Sequence, residues 1–202
     1  MDFDSVNTVT RPDGSRVEYG MIHGNSNVVI IKAGAGGSYL GHEDKYYRLA
    51  ERLHQDHGCT VLSFSNFSNT SFEDVDVDVI KDLVSQMKGG VTLYYVGVSN
   101  GATQGLLNAT RHFDFSRILL FNMPLMINFH KIKAALNRVR SEIRFVYGEK
   151  DPSCSYVPFL VHASQKETCT ARVEVITVPH ADHNFAGMSD TFLDLAVDLF
   201  RP

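Results

Sequence analysis

Two hydrophobic patterns alternate along the chain. Short apolar runs, rich in β-branched and aromatic residues, are typical of strands buried on both faces of a sheet. These predicted strands cover residues 28–33, 60–64, 91–98, 117–121, 142–147 and 172–178. Apolar residues at helical spacing predict helices over residues 43–57, 72–87, 153–168 and 189–200, with further helix after residue 100 and within 125–140. This alternation predicts an α/β fold, with a mostly parallel sheet and helices on both faces.

The N-terminal segment has a different pattern. Residues 6–10 and 15–22 flank Pro12-Asp13-Gly14, and a Pro-Asp-Gly sequence between two β-like segments indicates a turn. We therefore predict an antiparallel hairpin at the edge of the sheet. The complete sheet should then have about seven to eight strands.

Length and composition favour a single globular domain. The 202 residues suffice for one core, and the hydrophobic fraction of 44% is ordinary. With 19 Lys and Arg against 23 Asp and Glu, the net charge of −4 provides no basic surface for nucleic acid. The acidic residues at 73–78 fit the N-terminal turn of a helix better than a metal site. We expect one domain over residues 1–202.

The sequence also favours a cytoplasmic location. The N-terminus has no basic segment followed by an apolar one, so no secretory signal is visible. No apolar run approaches the roughly 20 residues that a membrane span needs. The three cysteines, Cys59, Cys154 and Cys169, have no C-x-x-C spacing, which favours a reducing compartment over disulfides or structural zinc.

A G-x-S-x-G sequence lies between a predicted strand and a predicted helix. It reads Gly97-Val98-Ser99-Asn100-Gly101, and a sharp turn there would strain Ser99 and expose its hydroxyl above the sheet edge. Only small residues fit on either side of such a turn. The following helix would direct its free N–H groups and its dipole at the serine. Without this context the serine would indicate only an ordinary turn; with it, the stretch resembles the nucleophile elbow of the α/β-hydrolase superfamily.

That resemblance implies two further catalytic residues, each after a later strand. Asp151 ends a G-x-x-D sequence after residues 142–147, where the superfamily usually presents the acid of its triad. His183 lies in Ala-Asp-His-Asn-Phe after residues 172–178 and occupies the position of the catalytic histidine. The order Ser99, Asp151, His183 is that of the superfamily. Outside this context Asp151 would be a plain Asp-Pro turn, and His180 is an alternative to His183.

The glycine-rich residues 33–37, Ala-Gly-Ala-Gly-Gly, follow the first buried strand. They lack the G-K-[ST] ending of a phosphate-binding loop and the G-x-G-x-x-G spacing of a dinucleotide site. The resemblance implies instead that the loop supplies one oxyanion-hole N–H, from Ala35, with Gly34 or Gly36 as alternatives. The second donor would be the N–H of Asn100. The superfamily often has His-Gly-x-Gly here, and Ala33 stands in place of the histidine.

The residues after the fourth parallel strand leave little room for a lid. Residues 125–140 fit a loop and one helix, so we expect an open site that suits a small or extended substrate. Phe67, Met123 and Leu125 are the residues that we expect to form its wall. His42 is expected to be a solvated histidine at the start of a helix.

The resemblance implies a serine hydrolase that acts on a small-molecule acyl substrate. The substrates would be carboxylic esters or thioesters of small to medium acyl groups, cleaved through an acyl-enzyme. No cofactor is needed for this chemistry. A metal site at Asp182 and its two neighbouring histidines would lack a fourth ligand and helical spacing. A non-catalytic binding protein of the same fold and an acyltransferase are the alternatives.

Overall fold

A single mixed sheet organises the described part of the chain, which comprises residues 3–10, 14, 16–67, 75–127 and 129–200 of the computed structural model. Its eight described strands lie in the order β1-β2-β4-β3-β5-β6-β7-β8. Their bounds are β1 Ser5–Thr10, β2 Arg16–Ile22, β3 Asn25–Lys32, β4 Cys59–Phe64, β5 Thr92–Val98, β6 Phe115–Phe121, β7 Glu142–Gly148 and β8 Arg172–Val178. Strands β3 to β8 are parallel to one another, as predicted.

The N-terminal hairpin is confirmed by the pairing of β1 with β2. The two strands run antiparallel, with Ser5 opposite Met21 and Thr10 opposite Arg16. Strand β2 then pairs antiparallel with β4, which places the hairpin at one edge of the sheet. Pro12 and Asp13, on which the predicted turn rested, lie outside the described residues.

Six described helices connect and cover the strands. They are α1 Lys45–His57, α2 Val75–Gln86, α3 Asn100–Asn108, α4 Phe129–Leu136, α5 Val157–Ser164 and α6 Ser189–Val197. Short 3-10 turns precede α1 and α5 and follow α6, at His42–Asp44, Pro152–Tyr156 and Asp198–Phe200. The predicted start of α2, residues 72–74, lies outside the described part of the chain. None of the described helices is long and apolar enough to cross a membrane.

The predicted helix over residues 153–168 is wrong in extent. The segment forms a 3-10 turn and then α5, which ends at Ser164. Pro158 lies in the first turn of α5, where a residue without an N–H removes no intrahelical hydrogen bond. The helix therefore begins later and ends earlier than residues 153–168, and the proline lies at its start.

The sheet separates two hydrophobic cores. Along β3, Val29 and Ile31 point into one core while Val28 and Ile30 point into the other, as the period of two of a strand requires. Helices α1 and α6 cover the first face, and residues of α2, α3, α4 and α5 pack on the second. Both faces are thus covered, which explains why the parallel strands are continuously apolar.

Helix α3 crosses very close to strand β3. A Cβ added at Gly101 would lie 2.4 Å from the carbonyl oxygen of Ala33 and 2.5 Å from that of Lys32. A Cβ at Gly97 would lie 2.7 Å from the Cα of Ala102. Because these neighbours are mainly backbone atoms, they cannot yield by changing rotamer. Glycine at both positions is therefore needed for the strand-to-helix turn to close.

Gly101→Ala is expected to lower the free energy of unfolding by about 2 kcal/mol or more, since overpacking outweighs the better helix propensity of alanine. Urea denaturation of the purified proteins measures the change. Gly90→Ala is the matched control, because a Cβ there meets no atom within 4 Å. Equal stability of the two variants would contradict the close crossing.

Candidate active site

The residues expected to be catalytic follow three strands of the parallel sheet. Ser99 follows β5, Asp151 follows the end of β7, and His183 lies in the loop after β8. These strands run parallel, and only β6 separates β5 from β7. Their carboxyl ends lie along one edge, where open α/β sheets bind ligands.

Ser99 has a strained backbone. Its φ of 52° and ψ of −120° are unfavourable for a residue with a side chain and cost on the order of 1–3 kcal/mol. The turn is held by the Ser99 N–H, which donates to the carbonyl of Phe121 at 2.8 Å. The Ser99 carbonyl accepts the N–H of Ala102 at 3.0 Å. The side chain makes no capping bond to the helix, so its hydroxyl is available to the adjoining cavity.

Asp151 and His183 form a direct carboxylate–imidazole contact. Asp151 is buried, with 4% of its surface exposed, and its Oδ1 accepts the N–H of Ser153 at 2.7 Å. Its Oδ2 contacts Nδ1 of His183. A carboxylate can only accept, so this contact favours the tautomer with hydrogen on Nδ1. Nε2 of His183 is then left as a proton acceptor.

The buried side chain of Asn122 supports the loop that carries His183. Its Nδ2 donates to the carbonyls of His183 at 2.8 Å and of Asp182 at 3.2 Å. Its Oδ1 accepts the N–H of Gly148 at 2.8 Å, so one side chain joins the ends of β6 and β7 to the histidine loop. The sequence predicts only that Asn122 follows the strand over residues 117–121, because a single asparagine carries no signal of its partners.

His180, the alternative to His183 as the catalytic histidine, does not line the cavity at Ser99. His180 is 84% exposed in its side chain, and its Nδ1 lies 3.5 Å from the carboxylate of Glu149. The N–H of His180 also donates to Glu149, at 2.8 Å. His180 is not among the residues that line the cavity at Ser99, whereas His183 is.

The glycine-rich loop leaves a free N–H beside Ser99. The Gly36 N–H donates to the carbonyl of Asn66 at 2.7 Å, and the Gly37 N–H donates to Gly34 at 2.9 Å. The N–H groups of Ala35 and Asn100, by contrast, have no acceptor among the residues that the structure describes. Gly36 is thereby occupied as a donor.

The side chain of Asn66 ties this loop to helix α3. Its Nδ2 lies 3.1 Å from the Ala33 carbonyl and 3.2 Å from Oδ1 of Asn100. The Asn66 N–H also donates to the carbonyl of Gly37 at 2.8 Å, and Gln104 donates to the same Asn100 oxygen at 2.8 Å. A single asparagine after a strand gives no sequence signal of these partners, so the role of Asn66 is visible only in the folded chain.

Ser99 and His183 both line one cavity of about 200 Å³. Its lining residues are Gly34, Ala35, Gly37, Gly41, His42, Lys45, Tyr46, Val98, Ser99, His183 and Asn184. His42, expected to be solvated, borders this cavity with 49% of its side chain exposed.

The prediction that Phe67, Met123 and Leu125 form the wall of the site is wrong. Met123 and Leu125 are fully buried in the core on the second face of the sheet, and Phe67 is half exposed. None of the three is among the lining residues, because the chain turns these side chains away from Ser99 after β4 and β6. The apolar part of the wall comes from Tyr46 and Val98 instead.

Lys45 is a cavity residue that sequence reasoning missed. It is 2% exposed, and its Nζ donates to the carbonyl of Asn184 at 2.6 Å. Burial lowers the pKa of Lys45 to about 8, while the carboxylates of Asp182 and Glu43 oppose that shift. A lysine in the first turn of an amphipathic helix gives no sequence signal of burial.

The described residues contain no group of three or more His, Cys, Asp or Glu side chains arranged to hold a metal ion. Cys59, Cys154 and Cys169 are all free thiols. Burial raises the pKa of the Cys59 thiol to about 11.

The comparisons with known proteins identify the fold. No protein-family model and no curated protein matches the sequence. A structure of an alpha-beta serine hydrolase homologue from Coxiella burnetii is 16% identical, with a TM-score of 0.75 over 100% of this chain and 99% of that one. Est1E from Butyrivibrio proteoclasticus is 12% identical, with a TM-score of 0.75 over 96% and 97%. The Pyrococcus furiosus esterase Pf2001 is 15% identical, with a TM-score of 0.71 over 96% and 90%.

The protein therefore has the α/β-hydrolase fold. The match extends over nearly the whole of each chain, and the observed strand order and N-terminal hairpin agree with it. The resemblance inferred from the residues is confirmed at the level of the fold.

The stability of the protein should depend on pH through Lys45. Its native pKa of about 8 lies below the usual 10.5, so the unfolded state binds more protons between these values and stability rises with pH. The free energy of unfolding of the wild type, minus that of Lys45→Met, should increase by about 2 kcal/mol between roughly pH 7 and roughly pH 9.5.

Urea denaturation at the two pH values measures this difference. Lys88→Met is the control, because Lys88 is exposed and its replacement should produce no such increase. If the free energies of unfolding of the wild type and of Lys45→Met changed equally between the two pH values, the ammonium of Lys45 would be solvated.

Proposed function

We propose that the protein is a serine hydrolase that cleaves carboxylic esters or thioesters through an acyl-enzyme. The supporting observation is that Ser99 and His183 line one cavity while Nδ1 of His183 contacts the buried carboxylate of Asp151. This leaves a proton-accepting nitrogen in the cavity of a strained serine. The likeness to esterases and hydrolases agrees with this chemistry.

In the proposed mechanism, Nε2 of His183 takes the Ser99 proton as Oγ attacks the substrate carbonyl carbon. The carbonyl oxygen becomes an oxyanion, stabilised by the N–H groups of Ala35 and Asn100. His183 returns the proton to the departing alcohol or thiol, which leaves the acyl group on Ser99. Water, activated by the same imidazole, then releases the acid. Asp151 holds the tautomer and stabilises the imidazolium.

The proposed substrates are small to medium acyl derivatives. The cavity of about 200 Å³ is small for a ligand site, and no residue of α4, the one described helix between β6 and β7, lines it. Est1E has been solved with ferulic acid bound, which makes esters of aromatic acids a class to test alongside aliphatic ones. Transfer to an acceptor other than water, and ligand binding without turnover, are the competing functions. A cytoplasmic location is part of the proposal.

Ser99→Ala should abolish turnover without unfolding the protein, because the hydroxyl supplies the nucleophile. A fluorophosphonate probe, read by intact mass and peptide mapping, should add one adduct at Ser99 in the wild type and none in the variant. A panel of p-nitrophenyl esters of increasing chain length measures turnover and the size of the acyl site. Undiminished ester cleavage by well-purified Ser99→Ala would exclude the assignment.

The two histidines and two acids near the site allow a matched comparison. His183→Ala should lower kcat by several orders of magnitude, and Asp151→Asn by about 10⁴-fold because the tautomer is lost. His180→Ala and Glu149→Gln should retain nearly full activity, since this exposed pair is not among the residues lining the cavity. Steady-state kinetics with one ester settles the matter, and equal losses in the His180 and His183 variants would refute the roles assigned.

A further inference from the structure

An ammonium group with unused donors borders the cavity of Ser99. Lys45 begins helix α1, and its Nζ makes one described hydrogen bond, to the carbonyl of Asn184. A lysine ammonium has three N–H donors. Lys45 forms no ion pair with any carboxylate of the described residues. Two donors are therefore available to a ligand.

Burial makes this arrangement costly for the empty protein. Only 2% of Lys45 is exposed, and a buried cation with no carboxylate in direct contact loses hydration that one carbonyl does not replace. The rings of Phe192, at 4.9 Å, and Tyr46, at 5.6 Å, offset part of that loss. A pKa of about 8 keeps most of the Lys45 population charged at neutral pH.

The backbone before Lys45 is also strained. Glu43 and Asp44 have φ values of 55° and 53°, a conformation that side chains disfavour. Glu43 is held there by Ser189, whose hydroxyl donates to its carboxylate at 2.7 Å. The chain thus keeps an unfavourable turn that starts α1 with its lysine at the cavity.

We propose that Lys45 binds a carboxylate of the substrate, so that the preferred substrates are esters or thioesters whose short acyl chain carries a carboxylate. This rests on the proposed function for the position of the scissile bond. A ligand carboxylate would accept the unused N–H donors directly, whereas Asp182 and Glu43 act on Lys45 only from beyond hydrogen-bond distance. The small cavity requires the charged group and the reacting carbonyl to belong to one compact molecule.

Two esters of equal length test the charge preference. 4-Nitrophenyl hexanoate and the mono-4-nitrophenyl ester of adipic acid differ only in a terminal methyl or carboxylate, and spontaneous hydrolysis is subtracted. The wild type should favour the adipate ester in kcat/KM by about tenfold or more. In Lys45→Met this ratio should fall to about one. Lys88→Met removes the same charge from an exposed site and should keep the wild-type ratio.

The ratio distinguishes recognition from a structural role. If Lys45 only supported Asn184 and the histidine loop, Lys45→Met would slow both esters equally and leave the ratio unchanged. The ratio in the wild type should also decline as pH rises through about 8, because kcat/KM reports the free enzyme. The carboxylates facing Lys45 stay ionised at these pH values, because hydrogen bonds from Ser189 to Glu43 and from Ala186 to Asp182 lower their pKa values. Catalytic steps that the two esters share cancel from the ratio.

Tyr46 and His42 are further ionisable groups that border the cavity, and each must be separated from Lys45 as the cause of the decline in the kcat/KM ratio near pH 8. Burial raises the pKa of Tyr46 far above this range, so its phenol stays neutral. His42, which lies beside Glu43, is tested with His42→Ala, and that variant should retain the decline of the ratio near pH 8.

A binding experiment separates this inference from the proposed function. Adipate dianion is titrated calorimetrically into Ser99→Ala and into Ser99→Ala/Lys45→Met, neither of which needs to turn over substrate. Binding at least about tenfold weaker in the double variant supports the carboxylate site even if no ester is cleaved. If Lys45→Met does not fold, Lys45→Gln replaces it. Absence of adipate binding, or a wild-type ester ratio near one, would overturn the inference, whereas labelling of Ser99 tests the hydrolase function alone.

Discussion

The close crossing of helix α3 over strand β3 is the constraint on which the candidate site depends. At Gly101 the helix backbone comes so near the carbonyls of Lys32 and Ala33 that no side chain fits between them. This contact sets the short distance between the first turn of α3 and the sheet. It therefore keeps Ser99 strained and brings the glycine-rich loop alongside it, with a Cβ at Gly34 only 3.1 Å from that of Ser99.

Two buried asparagines then convert a sheet edge into an ordered site. Asn66 joins the glycine-rich loop to α3, and Asn122 joins the ends of two strands to the histidine loop. The Asn122 amide satisfies three backbone groups, and the Asn66 amide satisfies one backbone carbonyl and the side chain of Asn100. A backbone group left buried and unpaired would cost about 1–3 kcal/mol. Loops are usually more mobile than the elements that they connect, and these side chains tie them to the strands and helices of the site.

The cavity combines groups that favour stability with groups that oppose it. Strained residues at Ser99, Glu43 and Asp44 and the buried ammonium of Lys45 all raise the free energy of the folded state. Burial of apolar side chains in the two hydrophobic cores offsets these unfavourable contributions to the free energy of folding. Such a concentration of unfavourable features at one edge of a well-packed sheet is typical of a functional site.

The sequence by itself determined the order of strands and helices, the N-terminal hairpin and the position of Ser99 at a strand-to-helix turn. These features rest on local periodicity and on glycine spacing, which adjacent residues encode. The resemblance to the superfamily also implied Asp151 and His183, each after a predicted strand, and the fold places them in contact.

Only the tertiary structure decided the walls of the cavity. Met123 and Leu125 were expected there but are buried on the other face of the sheet. Lys45 lines the cavity and Asn66 contacts the glycine-rich loop, and no sequence pattern predicted either position. The direction of a loop side chain and the burial of a lysine depend on which distant segments pack against them. For Lys45 that segment includes Asn184, whose contact joins the first helix to the last loop, and no local pattern contains that information.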